Sequence, residues 1–291
     1  MYLKIERGLS ESSIESYTLD VLGFEQFLID ENITKNPIDS DLSSVQTFIY
    51  ETAKSLSPNT QARRLSGLRS FFDYMIFESY RASNPTDLIE APKIGRKLPD
   101  ILDLNEIDLL LKHIDLGHPQ GNRNRAMLEM LYGSGIRVSE LVNLSLSNLF
   151  FEENLIRVTG KGNKQRLVPL GKLTKKFILF YINNFRSQQK IDSVYKDIVF
   201  LNRNGKILTR QMIFTIIKKL ALKANIEKKI GPHTFRHSFA THLLENGADL
   251  RTIQILMGHE NITTTEVYTH LDTQHLRSVI ERFHPRDGSK R

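Results

Sequence analysis

Two arginines, three basic side chains of other types and one tyrosine are the residues of this chain best suited to chemistry on a phosphate ester. Near the C-terminus the sequence runs His233-Thr-Phe-Arg236, then Gly258-His259, then Thr-Thr-Thr-Glu-Val-Tyr268. Upstream stand Arg137, in Gly-Ser-Gly-Ile-Arg-Val-Ser-Glu-Leu, and Lys161, in Thr-Gly-Lys-Gly-Asn-Lys. Cleaving a phosphodiester requires a nucleophile in line, neutralisation of the transition-state charge and a proton for the leaving oxygen. Tyr268 is the candidate nucleophile. A free phenol has a pKa of ~10, so neighbouring cations must favour the phenolate. A phosphotyrosyl link conserves the free energy of the diester, which allows a strand to be cut and rejoined without ATP. Arg137 and Arg236 are the candidate clamps, because a guanidinium fork matches two non-bridging oxygens and stays protonated. His233 and Arg236 stand three apart at the start of a helix, on one face, where backbone amides also favour an anion. His259 can donate to a phosphate oxygen or pass protons. Lys161, on a glycine-flanked turn, is the candidate acid for the leaving 5′ oxygen, with Lys164 as the alternative occupant.

Taken singly, each residue has an ordinary use. Tyr268 fits the packing of C-terminal helices, and Arg137 fits an ion pair with Glu140 at helical spacing. The histidines fit cap or core positions, and Lys161 fits a solvated turn. His233, His237, His242, His259 and His270 also invite a zinc site. Their spacing is not His-Glu-x-x-His, no carboxylate accompanies the first two, and an arginine between ligands would repel the metal. No metal and no cofactor are expected.

Composition narrows the classes further. The chain has 291 residues, 40% of them hydrophobic, a formal charge of +7 and no cysteine. That suits one large domain or two, with a real core. The basic balance favours polyanionic partners. The absence of cysteine excludes a disulfide framework, a thiol nucleophile and a thiolate metal site. No apolar run approaches the ~20 residues of a membrane span, and the N-terminus lacks the apolar core of a signal peptide. A cytoplasmic protein with no membrane partner is expected.

The elements that must position these residues are mostly helices. Ile14, Tyr17, Val21, Phe24 and Leu28 form one apolar face, and Leu42, Val45, Phe48 and Ile49 a second on a helix begun near Ser40. Ser57-Pro58 opens a third helix as N-cap and first-turn proline, with Leu65, Leu68, Phe72 and Met75 inward. These helices predict an N-terminal bundle over 1–92. Ala91-Pro-Lys-Ile-Gly-Arg-Lys-Leu-Pro99 reads as a basic linker, placed at 93–100. A second domain over 101–291 opens with a capping box at Asp103 and Glu106. A helix over 123–132 stops at Gly133-Ser-Gly135, and a short helix opens at Arg137. Strands are predicted over 154–159 and 165–170, around the basic tip Gly160–Lys164. Helices resume over 172–188 and 209–225, with a short strand at Ile198–Leu201 between them. Beyond Pro232 the chain reads as helical, with Thr234, Asp249 and Thr273 as N-caps.

The ordered set Arg137, Lys161, His233-x-x-Arg236, Gly258-His259 and Tyr268 resembles the tyrosine recombinase (phage integrase) family, and within it the Xer type. Met257, where leucine is commoner, is the one small departure. The resemblance is dense from His233 to Leu244 and from Gly258 to Leu271, and it spans nearly the whole chain. It implies a mainly α fold with a small β-hairpin or sheet: an N-terminal SAM-like core-binding bundle followed by a tyrosine recombinase catalytic domain, the two clamped around DNA. It implies site-specific recombination through a 3′-phosphotyrosyl intermediate and a Holliday junction. It implies four protomers on two DNA sites, with copies of itself or a paralogous Xer recombinase, and stimulation by a septal DNA translocase. Resolution of chromosome dimers at cell division is the implied task. A C-terminal helix over about 273–283, with Leu276, Val279, Ile280 and Phe283 on one face, is implied to dock into a neighbouring protomer; packing on its own protomer is the alternative.

Double-stranded DNA is the expected partner on independent grounds as well. Arg203, Lys206, Arg210, Lys218, Lys219, Lys223, Lys228 and Lys229 crowd the region before His233. Phosphate contact is expected of Arg203 and Arg210, of Lys164 and Arg166 on the hairpin, and of Arg63, Arg64 and Arg69 on the third helix, which resembles the family's DNA-groove helix. The same residues leave three rival readings: an integrase of a mobile element, a type IB-like topoisomerase, and a non-catalytic DNA-binding protein of the same fold.

Overall fold

The computed structural model describes residues 2–33, 36–92, 95, 100–258 and 270–287, with the side chains of Lys161 and of residues 270–272 excepted. The chain divides into two compact units, Met1–Lys97 and Leu98–Arg291. The stretch 93–100 lies mostly outside the described residues.

The first unit holds α1 (Tyr2–Ile5), α2 (Glu11–Asp30), α3 (Leu42–Ala53) and α4 (Pro58–Phe77). Local chemistry starts each long helix. Ser10, Asp41 and Ser57 accept from the backbone amides of Ser13, Ser44 and Thr60, and Pro58 occupies the first turn. Phe24, Leu28, Val45, Phe48, Leu65, Leu68 and Phe72 converge in one core. They are the residues that the helical periodicity turns inward.

The second unit is helical around a small sheet. It comprises α5 (Leu104–Lys112), α6 (Gly121–Ser134), α7 (Val138–Val142), β1 (Leu149–Phe150), β2 (Leu155–Thr159), β3 (Gln165–Pro169), α8 (Lys172–Asn184), α9 (Arg210–Lys223), α10 (Pro232–Glu245), α11 (Leu250–Met257) and α12 (His270–Phe283). The sheet is antiparallel in the order β1-β2-β3, with Ile156 opposite Val168 and Val158 opposite Arg166. The fully buried α6 residues Met127, Leu128, Met130 and Leu131 lie at the centre of the core, against α8 and α10. The capping box at Asp103 and Glu106 opens α5 as expected, and Asp249 caps α11.

The structure corrects several sequence expectations. Ile198–Leu201 is not a strand; it forms only isolated bridges, Ser145 with Ile198 and Leu201 with Ile207. Val199, Phe200 and Leu201 are buried, and a short apolar run serves a core without needing a ladder partner. The brief strand β1 carries no period long enough to be seen in sequence. Thr234 is not the N-cap of α10. Gly231 is, and Thr234 lies in the first turn, its hydroxyl accepting from the Gly231 amide at 3.1 Å. Thr273 lies inside α12, not at its start, and is buried. Leu276, Val279 and Ile280 are buried in the core of their own unit, with Phe283 packed beside them. In the single chain, the face expected to dock on a neighbour is filled by the helix's own domain, which removes its apolar surface from water.

Candidate active site

The site is assembled where three chain turns meet. The first is the end of α6. Gly135 closes that helix with φ 57°. A Cβ there would lie 2.3 Å from the Phe239 ring, so glycine is required by both conformation and space. The chain then turns through Ile136 into α7, and Arg137 stands immediately before that helix. Glu140 reaches back, accepting from the Arg137 amide at 2.8 Å and from its guanidinium at 3.0 Å.

The second turn is the start of α10. Pro232 at the first helical position fixes the entry, His233 follows, and Arg236 lies one turn further. Arg236 is buried, whereas His233 is exposed. Arg236 donates to the Gly135 carbonyl at 2.5 Å and to the Met257 carbonyl.

The third turn is the end of α11. Gly258 terminates it in the left-handed region, φ 63°. Its carbonyl accepts from Arg137 at 2.9 Å, and that of Leu256 accepts from Arg166 at 3.3 Å. Arg166 also grips Glu140 with both nitrogens of its fork, at 2.6 and 2.9 Å. Arg137, Arg166 and Arg236 thus bond three successive carbonyls at the C-terminal, partially negative end of α11. The chain beyond Gly258 carries His259 and Tyr268.

The electrostatics favour an anion. Among the described residues, one carboxylate, Glu140, bonds within this cluster, to Arg137 and Arg166, and none bonds Arg236. Burial alone would raise its pKa, but the bonds and charge of Arg166, with those of Arg137, outweigh burial and hold it below the usual glutamate range. Arg236 is pushed down to about 9, first by burial and then by Arg137 and Arg166, with Glu140 opposing. It remains charged at neutral pH. His233 is lowered by partial desolvation and by His237, Arg236 and Arg137. Each of these shifts is one that a bound phosphate would offset.

Of the predicted catalytic residues, Arg137, His233 and Arg236 converge. Lys161 opens the turn between β2 and β3, where Gly162 takes φ 69°. His259 and Tyr268 lie outside the described residues. The DNA-contact candidates divide. Lys164, Arg203 and Arg210 are exposed. Arg63 pairs with the buried Asp20, and Arg64 lies against Asp20 and over the Phe48 ring. Arg69 donates to the carbonyls of Thr86 and Ile89 at 3.2 and 3.1 Å. Arg166 is buried in the site. One sequence cue does point inward for it: Arg166 shares strand parity with the buried Val168. Lys228, from the basic run, pairs with Glu106 at 2.7 Å. His242 is buried with its Nδ1 2.8 Å from the Tyr132 hydroxyl, and no metal-holding cluster occurs among the described residues. No described helix is long and apolar enough to cross a membrane.

The phage integrase family model matches residues 100–275, and the phage integrase N-terminal SAM-like domain matches 1–79. The chain belongs to the phage integrase family. Curated relatives place it among the tyrosine recombinases of that family. Tyrosine recombinase XerD of Staphylococcus saprophyticus is 42% identical over 285 residues, covering 98% of this chain and 96% of the relative. Tyrosine recombinase XerD of Staphylococcus haemolyticus is 42% identical over 290 residues, with the same coverage. Among solved structures, XerH site-specific recombinase bound to difH substrate, in a pre-cleavage complex, is similar with TM-score 0.69 and 25% identity, covering 91% of this chain and 78% of that one. In this tyrosine recombinase, the arginine cluster and the family's catalytic domain coincide in the second unit.

Proposed function

We propose that this site-specific recombinase binds a double-stranded DNA site and cuts one strand per protomer with Tyr268. In this reading the Tyr268 phenolate attacks the scissile phosphorus, and the bond to the 5′ oxygen breaks. A 3′-phosphotyrosyl link forms, and Lys161 gives its proton to the leaving 5′ oxygen, which departs as a hydroxyl. Arg137 and Arg236 hold the non-bridging oxygens, joined by His233 and His259. Attack by a 5′ hydroxyl from the partner strand reverses the chemistry through a Holliday junction, with neither metal nor ATP. The observation that carries this reading is the convergence of Arg137 and Arg236 on the carbonyls of Gly258 and Met257, beside His233. An excess of guanidinium charge stands at the root of the segment that bears the tyrosine.

The finer roles extend the same proposal. Residues 1–92 serve as the core-binding domain and 101–291 as the catalytic domain. Four protomers assemble on two sites, with copies of this chain or a paralogous Xer recombinase, to resolve chromosome dimers in the cytoplasm under a septal translocase. Similarity to XerD proteins over 98% of the chain supports that assignment.

A duplex carrying the site, nicked close to the cut so that the cleaved fragment diffuses away, tests the chemistry. The unaltered protein is expected to give a protease-sensitive covalent protein–DNA adduct. Tyr268→Phe is expected to bind with unchanged affinity and give none. An adduct that persists in Tyr268→Phe sinks the assignment. Binding without adduct in the unaltered protein favours the non-catalytic reading, and relaxation of plasmid that lacks the site favours the topoisomerase.

A further inference from the structure

Arg166 lies on a strand that leads from the basic hairpin turn, and sequence alone makes it a phosphate contact. Its surroundings say otherwise. It is buried, and all three of its side-chain nitrogens have protein partners: two on Glu140 and one on the Leu256 carbonyl. A Cβ on Gly258 would come within 3.0 Å of three Arg166 side-chain atoms, so the end of α11 rests directly on the guanidinium arm. Glu140, gripped by Arg166, in turn holds the backbone amide and the guanidinium of Arg137.

We infer that Arg166 is a positioning residue for strand cleavage: through Glu140 it aims the Arg137 clamp, and through Leu256 it fixes the point from which the segment carrying His259 and Tyr268 departs. This rests on the proposed roles of Arg137 and Tyr268. Gly160, which precedes Lys161, also packs beside Glu140 and Arg166, so the leaving group is the competing point of action that the test separates. The hydrogen bonds of Arg166 run to Glu140 and to the end of α11, so its action is assigned to the clamp and the nucleophile. Only arginine can do this. A lysine is a single point charge and cannot span both carboxylate oxygens while reaching a third acceptor.

The test uses the full chain with Arg166→Lys, Arg166→Met, Glu140→Gln and the double variant Glu140→Gln/Arg166→Met. DNA affinity is measured across a salt series, and single-turnover adduct formation at saturating nicked DNA. A second substrate carries sulfur in place of the bridging 5′ oxygen; a thiolate leaves without needing a proton. Arg166→Met is expected to keep its affinity and salt slope while adduct formation slows roughly 100-fold, the cost of a misplacement near 1 Å. Arg166→Lys restores only part of that rate, and the double variant is no slower than Arg166→Met. The sulfur substrate rescues Lys161→Ala but neither Arg166 variant. A salt slope smaller by about 0.9, with normal cleavage once DNA saturates, makes Arg166 a phosphate contact and overturns the inference. Rescue of the Arg166 variants by sulfur overturns it too, by moving the effect to the leaving group. If both Arg166 variants melt below the assay temperature, the residue is a stability element and the inference falls. Absence of adduct from the unaltered chain overturns the recombinase chemistry itself, a distinct outcome.

Discussion

Leu256, Met257 and Gly258 offer three successive carbonyls to Arg166, Arg236 and Arg137. A helix end normally leaves such acceptors to water or a cap. Here guanidiniums from a strand, a helix and a turn satisfy them, so the position of each cation depends on that of the others. The arrangement also depends on Gly135, whose carbonyl anchors Arg236 and whose left-handed φ lets α6 turn toward Arg137. Gly135→Ala must place a methyl into the Phe239 ring and hold a left-handed backbone. Strain of about 1–2 kcal/mol from the backbone and about 1–3 kcal/mol from overpacking add at this site. Urea unfolding of the variant is expected to show a loss within the sum of those two ranges. Adduct formation is expected to fall as well, because strain at residue 135 displaces the carbonyl that anchors Arg236. Unchanged stability would mean that Phe239 yields freely and that the glycine is not required for space.

At the scale of elements, the chain beyond α12 is held by a buried polar cluster. His284 lies against the rings of Tyr132 and Phe239, with centroids 4.9 and 5.7 Å away. Arg286 pairs with Asp108 and with Glu129, the latter at 2.8 Å, and Asp287 accepts from the Leu173 amide at 3.0 Å. Burial pushes the His284 pKa down to about 3; Arg286 and His242 add to this, and a backbone bond at Tyr132 opposes it. The native state therefore keeps a neutral ring while the unfolded chain, near its ordinary pKa of ~6.5, takes a proton. Stability is present above that value and is lost as pH falls through it toward 3. Between pH 7 and pH 5 this one group costs about 2 kcal/mol. His284→Leu is expected to flatten that part of the pH–stability curve; His242, lowered by burial, leaves a residual slope of the same sign. A curve unchanged by the substitution would mean that His284 is protonated in the native state. None of this was legible in sequence, because His284 is one histidine near a chain end, and its burial comes from α6 and α10. What was legible is local. Ser57-Pro58, the Asp103–Glu106 box and Asp249 announce helix starts through chemistry within four residues. The candidate set was legible as residue types in order, and of it Arg137 and His233-x-x-Arg236 fall where the described arginine cluster forms. Glu140 and Arg166 were legible only as an ion-pair partner and a DNA contact, since their joint burial is a tertiary fact. The same reason explains Ile198–Leu201, whose apolar run fills a core without a ladder.

For the whole molecule, the formal charge of +7 does not say which cations meet DNA. Both units supply candidates, and each unit has its own core, so a loss of folding in one can be told from a loss of binding. Arg203 and Arg210 are exposed and free to release counterions, as is Lys164. Arg69 is committed to two backbone carbonyls that close the segment after α4 onto its own unit. Affinity for duplex DNA, read by fluorescence anisotropy over a salt series, is expected to fall steeply with salt. Arg203→Ala and Arg210→Ala are each expected to reduce the logarithmic slope by about 0.9, the value for one neutralised phosphate on B-form DNA. Arg69→Ala is expected to leave the slope alone and to destabilise the first unit by about 1–3 kcal/mol, since it strands partly buried acceptors. A reduced slope for Arg69→Ala at full stability would reverse that division, and would mean that its carbonyl bonds give way to phosphate when DNA binds. Charge alone cannot separate these cases; the bonds each arginine already makes within its unit can.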